Sequence, residues 1–291
     1  MDLDKIDFRF HFSESPDEEG SSSDVSLLKS EEQKSFPSRD TRSAELPSNT
    51  GKKFAGEVYV EEKEASQHVE LVRIGHLIVK KCIAVDNTQA DTFDLVPGIY
   101  EGGRKLWECS LDLGKFMTQS QETLSHLKGA RVLELGCGHG LLGICALLLG
   151  AASVDFQDYN KDVLYNITST NVASNLQATD RRSVRYFCGD WKALVPVLAS
   201  GAKYNIILSA ETIYSPENQA KLCAAIESCL CPKNGFALLG AKSYYFGVGG
   251  GTRQFEALVS MRGKLDSEVV KVFDCGTANK REILKVQVKA L

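Results

Sequence analysis

The sequence lacks the features that mark three broad classes of protein. No apolar run approaches the roughly 20 residues that a membrane-spanning helix needs, so we expect no membrane segment. Lys and Arg number 34 against 38 Asp and Glu, so the basic excess that is typical of a nucleic-acid-binding surface is missing. The first 20 residues are charged throughout and contain no apolar stretch like that of a secretory signal. We therefore expect an intracellular protein that does not bind nucleic acid directly.

The cysteine pattern argues against a disulfide scaffold and against a zinc site. The chain has nine cysteines, an odd number, and most of them lie inside apolar runs. The closest two, Cys229 and Cys231, are separated by one residue and have no histidine nearby, whereas structural zinc sites use wider pairs. We expect reduced, buried thiols and no metal.

Composition divides the chain into three predicted regions. Residues 1–52 contain eleven serines and few large apolar residues, and residues 1–50 carry twelve acidic against six basic residues. Such a segment cannot bury enough apolar surface to offset the entropy lost on ordering. We predict a disordered acidic tail over 1–52. An extension with two or three short strands and a lid follows over 53–128, and a core domain covers 129–291.

The most informative stretch runs from Arg131 to Leu149. The apolar run Val132–Leu135 predicts a buried parallel strand. Three glycines follow at alternate positions, and a helical pattern begins at Leu141. A strand, a glycine loop and a helix N-terminus together bring bare backbone N–H groups against a nucleotide-like ligand.

Strand and helix patterns alternate regularly after this loop. Five strands alternating with helices require a parallel sheet that is covered by helices on both faces. Two closing strands, near residues 268–273 and 283–288, lack an intervening helix and should pair as an antiparallel hairpin at one edge. The sequence therefore predicts an α/β fold with a doubly wound, Rossmann-like, mostly parallel sheet of seven strands.

Acidic residues at the predicted strand ends indicate a cofactor that contains ribose. Ligands of doubly wound sheets bind at the carboxyl ends of the strands. Asp158 lies 22 residues after Gly136, which is the spacing of an acid that accepts hydrogen bonds from ribose hydroxyls. Both NAD and S-adenosylmethionine fit this pattern, and Gly138–Gly143 formally matches the dinucleotide pattern G-x-G-x-x-G.

Three features favour S-adenosylmethionine over NAD. Glu134 would repel a pyrophosphate but suits the ammonium group of an amino acid. The closing hairpin is not the usual arrangement of dinucleotide-binding folds. Asp190 and Trp191 follow the next strand and supply an acid and an apolar wall for adenine, although Trp191 is also placed to be the first core residue of its helix.

The segment Ile99–Cys109 allows two interpretations. Its paired glycines are flanked by acidic and aromatic residues, which is unlike a core strand. It forms either a turn before a helix or a lid that places Trp107 and Glu108 over the ligand. Tyr244–Gly251 could be a flexible turn, but its consecutive glycines and its aromatic residues at the carboxyl end of a strand favour a wall that accepts a peptide.

Several motifs resemble one protein family. Glu134–Gly140 is similar to the first motif of the seven-strand methyltransferases, and Glu211–Tyr214 resembles the Asp/Glu-x-x-Tyr signature of their protein-lysine and protein-histidine branch. Residues 98–109, 156–160 and 244–251 together resemble the eukaryotic protein-histidine N-methyltransferases that modify a large-subunit ribosomal protein. The similarity covers roughly residues 95–255. His139 departs from the small hydroxyl residue common at its position, but the glycines around it are intact.

The resemblance implies a cofactor site for S-adenosylmethionine and a catalytic pair. Glu211 would bond the second N–H of the acceptor imidazole, and Tyr214 would orient Glu211 or the substrate ring. The implied product is a histidine of a large-subunit ribosomal protein, methylated on the tele nitrogen by a monomer in the cytoplasm or the nucleus. The residues expected to hold the cofactor are Leu106, Trp107, Glu108, Cys109, Ser110, Glu134, Gly136, Gly138, Gln157, Asp158, Tyr159, Gly189, Asp190, Trp191 and Ser209.

Two other functions stay open at this point. Lysine methylation shares the Glu-x-x-Tyr signature, but a lysine ammonium must lose a proton before it can attack, whereas neutral imidazole already carries a lone pair. A non-catalytic, cofactor-binding chaperone of ribosomal proteins is the second alternative, and the intact glycine loop together with Glu211 and Tyr214 argues against it.

Overall fold

A computed structural model describes residues 55–58, 60, 66, 68–82, 98–177, 182–274, 276 and 279–289. The tail predicted for residues 1–52 lies outside the described residues, and the boundary predicted at residue 128 stays a prediction.

Ten strands and eight α-helices occur in the described ranges. The strands are β1 (Gly56–Val58), β2 (Val69–Ile74), β3 (Leu77–Cys82), β4 (Arg131–Leu135), β5 (Ser153–Asp158), β6 (Ser183–Cys188), β7 (Ile206–Ala210), β8 (Phe236–Lys242), β9 (Leu265–Phe273) and β10 (Arg281–Val288). The helices are α1 (Glu108–Gln119), α2 (Gln121–Leu127), α3 (Leu141–Leu148), α4 (Lys161–Val163), α5 (Ser169–Asn175), α6 (Trp191–Ala199), α7 (Pro216–Cys229) and α8 (Thr252–Arg262), with a π-helical turn, Leu164–Thr168, between α4 and α5.

The main sheet confirms the predicted fold class and adds one strand. Its order is β1-β6-β5-β4-β7-β8-β10-β9, in which β4 to β8 run parallel and β10 pairs antiparallel with both β8 and β9. The eighth strand is β1, which pairs antiparallel with β6 through only three residues. A segment this short carries too little alternation to be recognised as a sheet strand from sequence.

Helices cover both faces of the sheet, as the apolar strands require. One core contains β2, β3 and α3 with the residues of β4 that face them, and the other contains side chains of α6, α7 and α8. Val132, Leu133 and Leu135 are fully buried, which is why the first parallel strand could be recognised from its apolar residues.

Two helical segments depart from the sequence pattern. Ser120 ends α1, and its side chain accepts the Thr123 N–H to begin α2. The helical stretch that begins at Lys161 contains a π turn, where the Thr168 hydroxyl donates to the Gly138 carbonyl at 2.6 Å. The irregular turn thus places a side chain of the helix on the glycine loop, which local periodicity does not encode.

The described cysteines form no disulfides, and all of them except Cys231 are buried. This agrees with the expected buried thiols. No helix in the described part of the chain is long and apolar enough to cross a membrane.

Gly143 allows α3 to pack closely against the sheet. A Cβ atom at this position would overlap the Phe156 ring and lie 2.8 Å from Glu134 Oε2. We expect Gly143→Ala to lower the free energy of unfolding by about 2 kcal/mol, because overpacking exceeds the gain in helix propensity. Urea denaturation measures this change.

Gly201→Ala is the matched control, since its Cβ would meet only the Arg131 side chain at 3.6 Å. We expect its stability to stay within about 0.5 kcal/mol of the wild type. Equal effects of the two substitutions would contradict the packing explanation.

Candidate functional site

A cavity of about 400 Å³ lies at the carboxyl ends of β4, β5, β6 and β7. The strand order reverses between β4 and β7, and such a switch point is where doubly wound sheets bind ligands. The volume is within the usual range for small-molecule sites. Its walls come from the glycine loop, from residues 98–107 before α1, and from the first turns of α7.

The glycine loop requires backbone conformations that other residues adopt only with strain. Gly136, Gly138 and Gly140 all have positive φ angles, of 64°, 49° and 70°. A Cβ atom on Gly138 would lie 3.0 Å from the Gly103 carbonyl oxygen. The loop and the segment before α1 therefore meet backbone to backbone, and this contact shapes the cavity.

Glu134 contributes a buried carboxyl group beneath the loop. It is 3% exposed, and its Oε2 accepts the Gly143 N–H of α3 at 2.8 Å. Burial raises its pKa to about 8, although the backbone bonds from α3 oppose the shift. This carboxyl group lines the cavity, where a ligand cation would favour its ionised form.

The Asp158 carboxyl group connects β5 to the glycine loop. Its Oδ2 accepts the Gly138 N–H at 2.9 Å and its Oδ1 accepts the Asn160 N–H at 3.0 Å. Burial raises its pKa to about 6. Each oxygen keeps a second lone pair, so this cavity-lining group can still accept a bond from a ligand hydroxyl.

Gln157 positions two other parts of the wall. Its Oε1 accepts the Gly136 N–H at 3.1 Å and the Trp191 indole N–H at 2.7 Å, and its Nε2 donates to the Gly189 carbonyl at 2.9 Å. Both the oxygen and the nitrogen of this side-chain amide are therefore hydrogen-bonded within the protein. It holds the loop and the indole in place, and Trp191 lines the cavity rather than only starting α6.

Asp190 caps α6 and pairs with α7. Its Oδ1 accepts the Lys192 N–H at 2.8 Å, and its Oδ2 lies 2.8 Å from the Lys221 ammonium. Both partners come from helices that begin at the cavity, so this carboxylate joins two walls while lining the space itself.

Residues 98–107, hereafter the lid segment, lie over the cavity. Tyr159 donates to the Gly98 carbonyl at 2.9 Å, and the Asn160 side chain bonds the Ile99 carbonyl and the Glu101 N–H at 2.8 and 3.1 Å. Asn160 occupies the N-cap position of α4 but makes no capping bond, because its side chain holds the lid segment instead. The stretch is a turn before α1 that also lines the cavity, and of the two residues that the lid interpretation places over the ligand, Trp107 lines the cavity and Glu108 does not.

His139 fastens the lid segment to the glycine loop. Its Nε2 lies 2.8 Å from the Arg104 carbonyl oxygen, which can only accept, so Nε2 carries the proton. Burial lowers the pKa of His139 to about 4, so the ring is neutral at ordinary pH. A serine or threonine at this position would be too short to make the same bond.

The Glu211 corner follows β7 and is strained. Glu211 has a φ of 56° and is the one non-glycine residue with positive φ in the described ranges. It is 7% exposed and lines the cavity. Its Oε2 accepts a short hydrogen bond from the Tyr245 hydroxyl, and its Oε1 has no hydrogen-bond partner among the described residues.

Tyr214 lines the same cavity but does not bond Glu211. Its hydroxyl makes a short hydrogen bond with Glu101 of the lid segment, whose other oxygen accepts the Gly98 N–H at 2.7 Å. Burial and the Glu101 carboxylate raise the pKa of Tyr214. The hydroxyl therefore stays protonated and donates to the lid.

Most of the predicted site residues meet at this cavity. Three do not line it: Glu108 pairs with Lys242 at 3.2 Å, Cys109 is buried in α1, and Ser209 donates to the Leu135 carbonyl at 2.7 Å. The other predicted residues all line the cavity, and they are Leu106, Trp107, Ser110, Glu134, Gly136, Gly138, Gln157, Asp158, Tyr159, Gly189, Asp190, Trp191, Glu211 and Tyr214.

Sequence reasoning missed several cavity residues. Glu101 and Thr212 lie inside the motifs at residues 98–109 and 211–214, so membership of these motifs was the available signal. Glu217, Asn218 and Lys221 come from the first turns of α7, and only the end of the preceding strand at the cavity indicates them.

Comparison of the sequence and the structure with known proteins finds methyltransferases. A family model described as lysine methyltransferase matches residues 98–245. A histidine protein methyltransferase 1 homolog of Dictyostelium discoideum is 44% identical over 199 residues, which cover 68% of this chain and 62% of that protein. The homolog of Rattus norvegicus is 34% identical over 252 residues, which cover 77% of this chain and 68% of that protein.

The chain belongs to the methyltransferase family of these relatives, the histidine protein methyltransferase 1 homologs. The family resemblance seen in the motifs is thereby confirmed. The chain spans less than two thirds of the Dictyostelium relative, 62% of its length. The structure of a SAM-dependent methyltransferase from Agrobacterium tumefaciens superposes with a TM-score of 0.51 at 16% identity, covering 78% of this chain and 72% of that one, and it shows the methyltransferase fold.

The His139 contact predicts how firmly the lid segment is held. We expect His139→Ala to expose the lid to trypsin after Arg104 and Lys105 at least tenfold faster than in the wild type, because the bond to the Arg104 carbonyl is lost. Mass spectrometry of timed digests measures the cleavage.

His76→Ala is the matched control, since His76 is exposed in the turn between β2 and β3. It should leave lid cleavage unchanged. The anchoring role of His139 would be wrong if both variants were cleaved at the wild-type rate.

Proposed function

We propose that this protein transfers the methyl group of S-adenosylmethionine to a histidine side chain of another protein. Membership of the methyltransferase family and relatives named as histidine protein methyltransferases support this proposal. The observation that carries it is the Glu211 carboxylate, which is buried at the cavity with one oxygen that has no hydrogen-bond partner among the described residues.

The groups around the cavity fit this cofactor. The Glu134 carboxylate would bind its ammonium, Asp158 would accept from its ribose hydroxyls, and Trp191 would cover its adenine. When bound, the cofactor supplies a methyl carbon attached to a positively charged sulfur. The aromatic faces of Trp107 and Tyr214 line the same space and would stabilise a cation there.

Glu211 would bind the imidazole of the acceptor histidine. A neutral imidazole presents a lone pair on one nitrogen and an N–H on the other. The free Oε1 of Glu211 would accept that N–H, which selects the reactive tautomer and stabilises the imidazolium that forms during transfer. The protein's contribution is therefore mainly orientation and electrostatic stabilisation.

The finer identity of the acceptor follows from the resemblance. We propose the tele nitrogen of a histidine in a large-subunit ribosomal protein, modified in the cytoplasm or the nucleus by a monomeric enzyme. Lysine is the second candidate acceptor, since the matching family model is described as lysine methyltransferase. A lysine would need to lose a proton before attack, and Glu211 would then act as the base.

Product analysis tests the proposal directly. We expect the wild-type protein, incubated with labelled cofactor and protein extracted from large ribosomal subunits, to produce labelled tele-methylhistidine on amino-acid analysis. Glu211→Gln should lower the rate of transfer about 100-fold, because a positioned carboxylate typically contributes 10²–10⁴-fold. Glu268→Gln, an exposed carboxylate on β9, is the control and should keep full activity.

Each of the other outcomes of this experiment would contradict a different part of the proposal. Labelled methyllysine would show that the acceptor is lysine and not histidine. Absence of label from the wild-type reaction would favour the non-catalytic alternative. Full activity of Glu211→Gln would remove Glu211 from the mechanism while leaving the reaction itself intact.

The raised pKa of Glu134 predicts that cofactor binding releases a proton. With a pKa of about 8, this group is mostly protonated at pH 7, and an ammonium partner favours its ionised form. Affinity for S-adenosylhomocysteine, which carries the same amino-acid moiety, should therefore rise between pH 6 and 8 by up to about tenfold per unit. Calorimetry in buffers of different ionisation enthalpy measures the released proton.

Glu134→Gln is the control, because its amide oxygen can still accept the Gly143 N–H. It should bind more weakly at pH 8 and lose most of the pH dependence. Wild-type affinity that is constant from pH 6 to 8 would contradict the assigned role of Glu134.

A further inference from the structure

Tyr245 is a buried tyrosine in the turn after β8, and no part of the proposed reaction yet uses it. It is 7% exposed, whereas its neighbours Tyr244 and Phe246 are 47% and 65% exposed. Only the middle residue of this aromatic run therefore points inward. Its hydroxyl reaches the Glu211 carboxylate, and its ring packs edge-on against Tyr214 at 6.4 Å between centroids.

The direction of the Tyr245 hydrogen bonds is determined by their partners. The backbone N–H of Lys242 lies 3.2 Å from the hydroxyl oxygen, and a backbone N–H can only donate. The hydroxyl uses a lone pair for that contact, which leaves its proton for Glu211 Oε2. The bond therefore runs from the tyrosine hydroxyl to the carboxylate.

This bond limits how the carboxylate can turn. With Oε2 held by Tyr245, the second oxygen can move little, and it is this oxygen that has no hydrogen-bond partner in the described part of the chain. The Lys242 ammonium also lies near Glu211, and the charges of Glu211 and Glu108 raise its pKa against the effect of burial. The thiol of Cys109 faces the same carboxylate from α1.

Backbone hydrogen bonds join the segment after Tyr245 to the corner that follows Glu211. Gly250 donates to the Tyr214 carbonyl at 2.9 Å and Gly251 to the Ile213 carbonyl at 3.0 Å. A Cβ atom on either glycine would overlap backbone atoms. The glycines after Tyr245 therefore allow the two segments to meet closely, and they form a packed contact rather than a flexible turn.

We infer that Tyr245 is a positioning residue, which holds the Glu211 carboxylate turned so that its second oxygen can bond the acceptor side chain. The inference rests on the proposed function of Glu211. Tyr214, which shares the Glu-x-x-Tyr signature with Glu211, bonds the lid segment instead. The orienting tyrosine is thus supplied by the turn after β8, 34 residues further along the chain.

The test compares two buried tyrosines that both donate to carboxylates. Tyr245→Phe removes the bond to Glu211, and Tyr204→Phe removes a bond of 2.6 Å to Asp155 at the opposite end of the strands. Apparent kcat and KM are measured with protein extracted from large ribosomal subunits. S-adenosylhomocysteine affinity and melting temperature are measured on the same samples, and both substitutions are also made in the Glu211→Gln background.

We expect Tyr245→Phe to lower kcat about 10- to 100-fold, the effect of one bond to a charged group. The KM for the acceptor and the cofactor affinity should change less than threefold, because the bond acts when imidazolium charge develops. In the Glu211→Gln background Tyr245→Phe should cause no further loss, since residues that act as one unit are not additive. Tyr204→Phe should leave kcat unchanged in both backgrounds.

Three results would overturn the inference alone. These are an unchanged kcat in Tyr245→Phe, a rise in acceptor KM without a loss of kcat, and an equal loss of kcat with and without the Glu211 carboxylate. The second would make Tyr245 a wall of the peptide site, and the third would make its effect independent of Glu211. If the wild-type protein methylates no histidine, the proposed function fails first and the inference fails with it.

Discussion

The site depends on one close contact between two backbone segments. Gly103 of the lid segment lies against Gly138 of the glycine loop, so near that a side chain on Gly138 would press on the Gly103 carbonyl. Their closeness lets His139 reach the Arg104 carbonyl. A cavity made of two loops has walls only while the loops stay together, so the glycines and the neutral histidine are as necessary to it as the residues that face the ligand.

Buried carboxyl groups dominate the cavity, and the fold offsets their cost with backbone donors. Glu134 accepts the Gly143 N–H at the start of α3, and Asp158 accepts the N–H groups of Gly138 and Asn160. These bonds oppose the effect of burial only in part, since the pKa values of both acids remain raised. A cavity with this character is better suited to a cationic ligand than to a phosphate, which agrees with the choice of S-adenosylmethionine over NAD.

The acceptor side of the cavity is built differently, around backbone strain. Glu211 adopts a positive φ angle, which costs on the order of 1–3 kcal/mol for a non-glycine residue and persists only where the surroundings enforce it. Here the enforcing contacts are the Tyr245 hydroxyl and the backbone bonds from Gly250 and Gly251. Strain and a carboxylate oxygen without a partner among the described residues thus occur at the same residue, which is where proposed substrate contact and structural constraint meet.

Sequence alone determined the properties that depend on neighbouring residues. The apolar residues Val132, Leu133 and Leu135, the glycine loop and the alternating strand and helix patterns after it predicted the order of strands and helices, and the motifs identified the family. Tertiary structure alone decided which distant groups meet. It pairs β1 with β6 and places the Asn160 side chain on the lid segment rather than at the start of its helix. It also brings the Tyr214 hydroxyl to Glu101, 113 residues away in the sequence, and the Tyr245 hydroxyl to Glu211. The reason is physical, since periodicity and turn chemistry act over a few residues, whereas hydrogen-bond partners are chosen by how the packed elements bring side chains together.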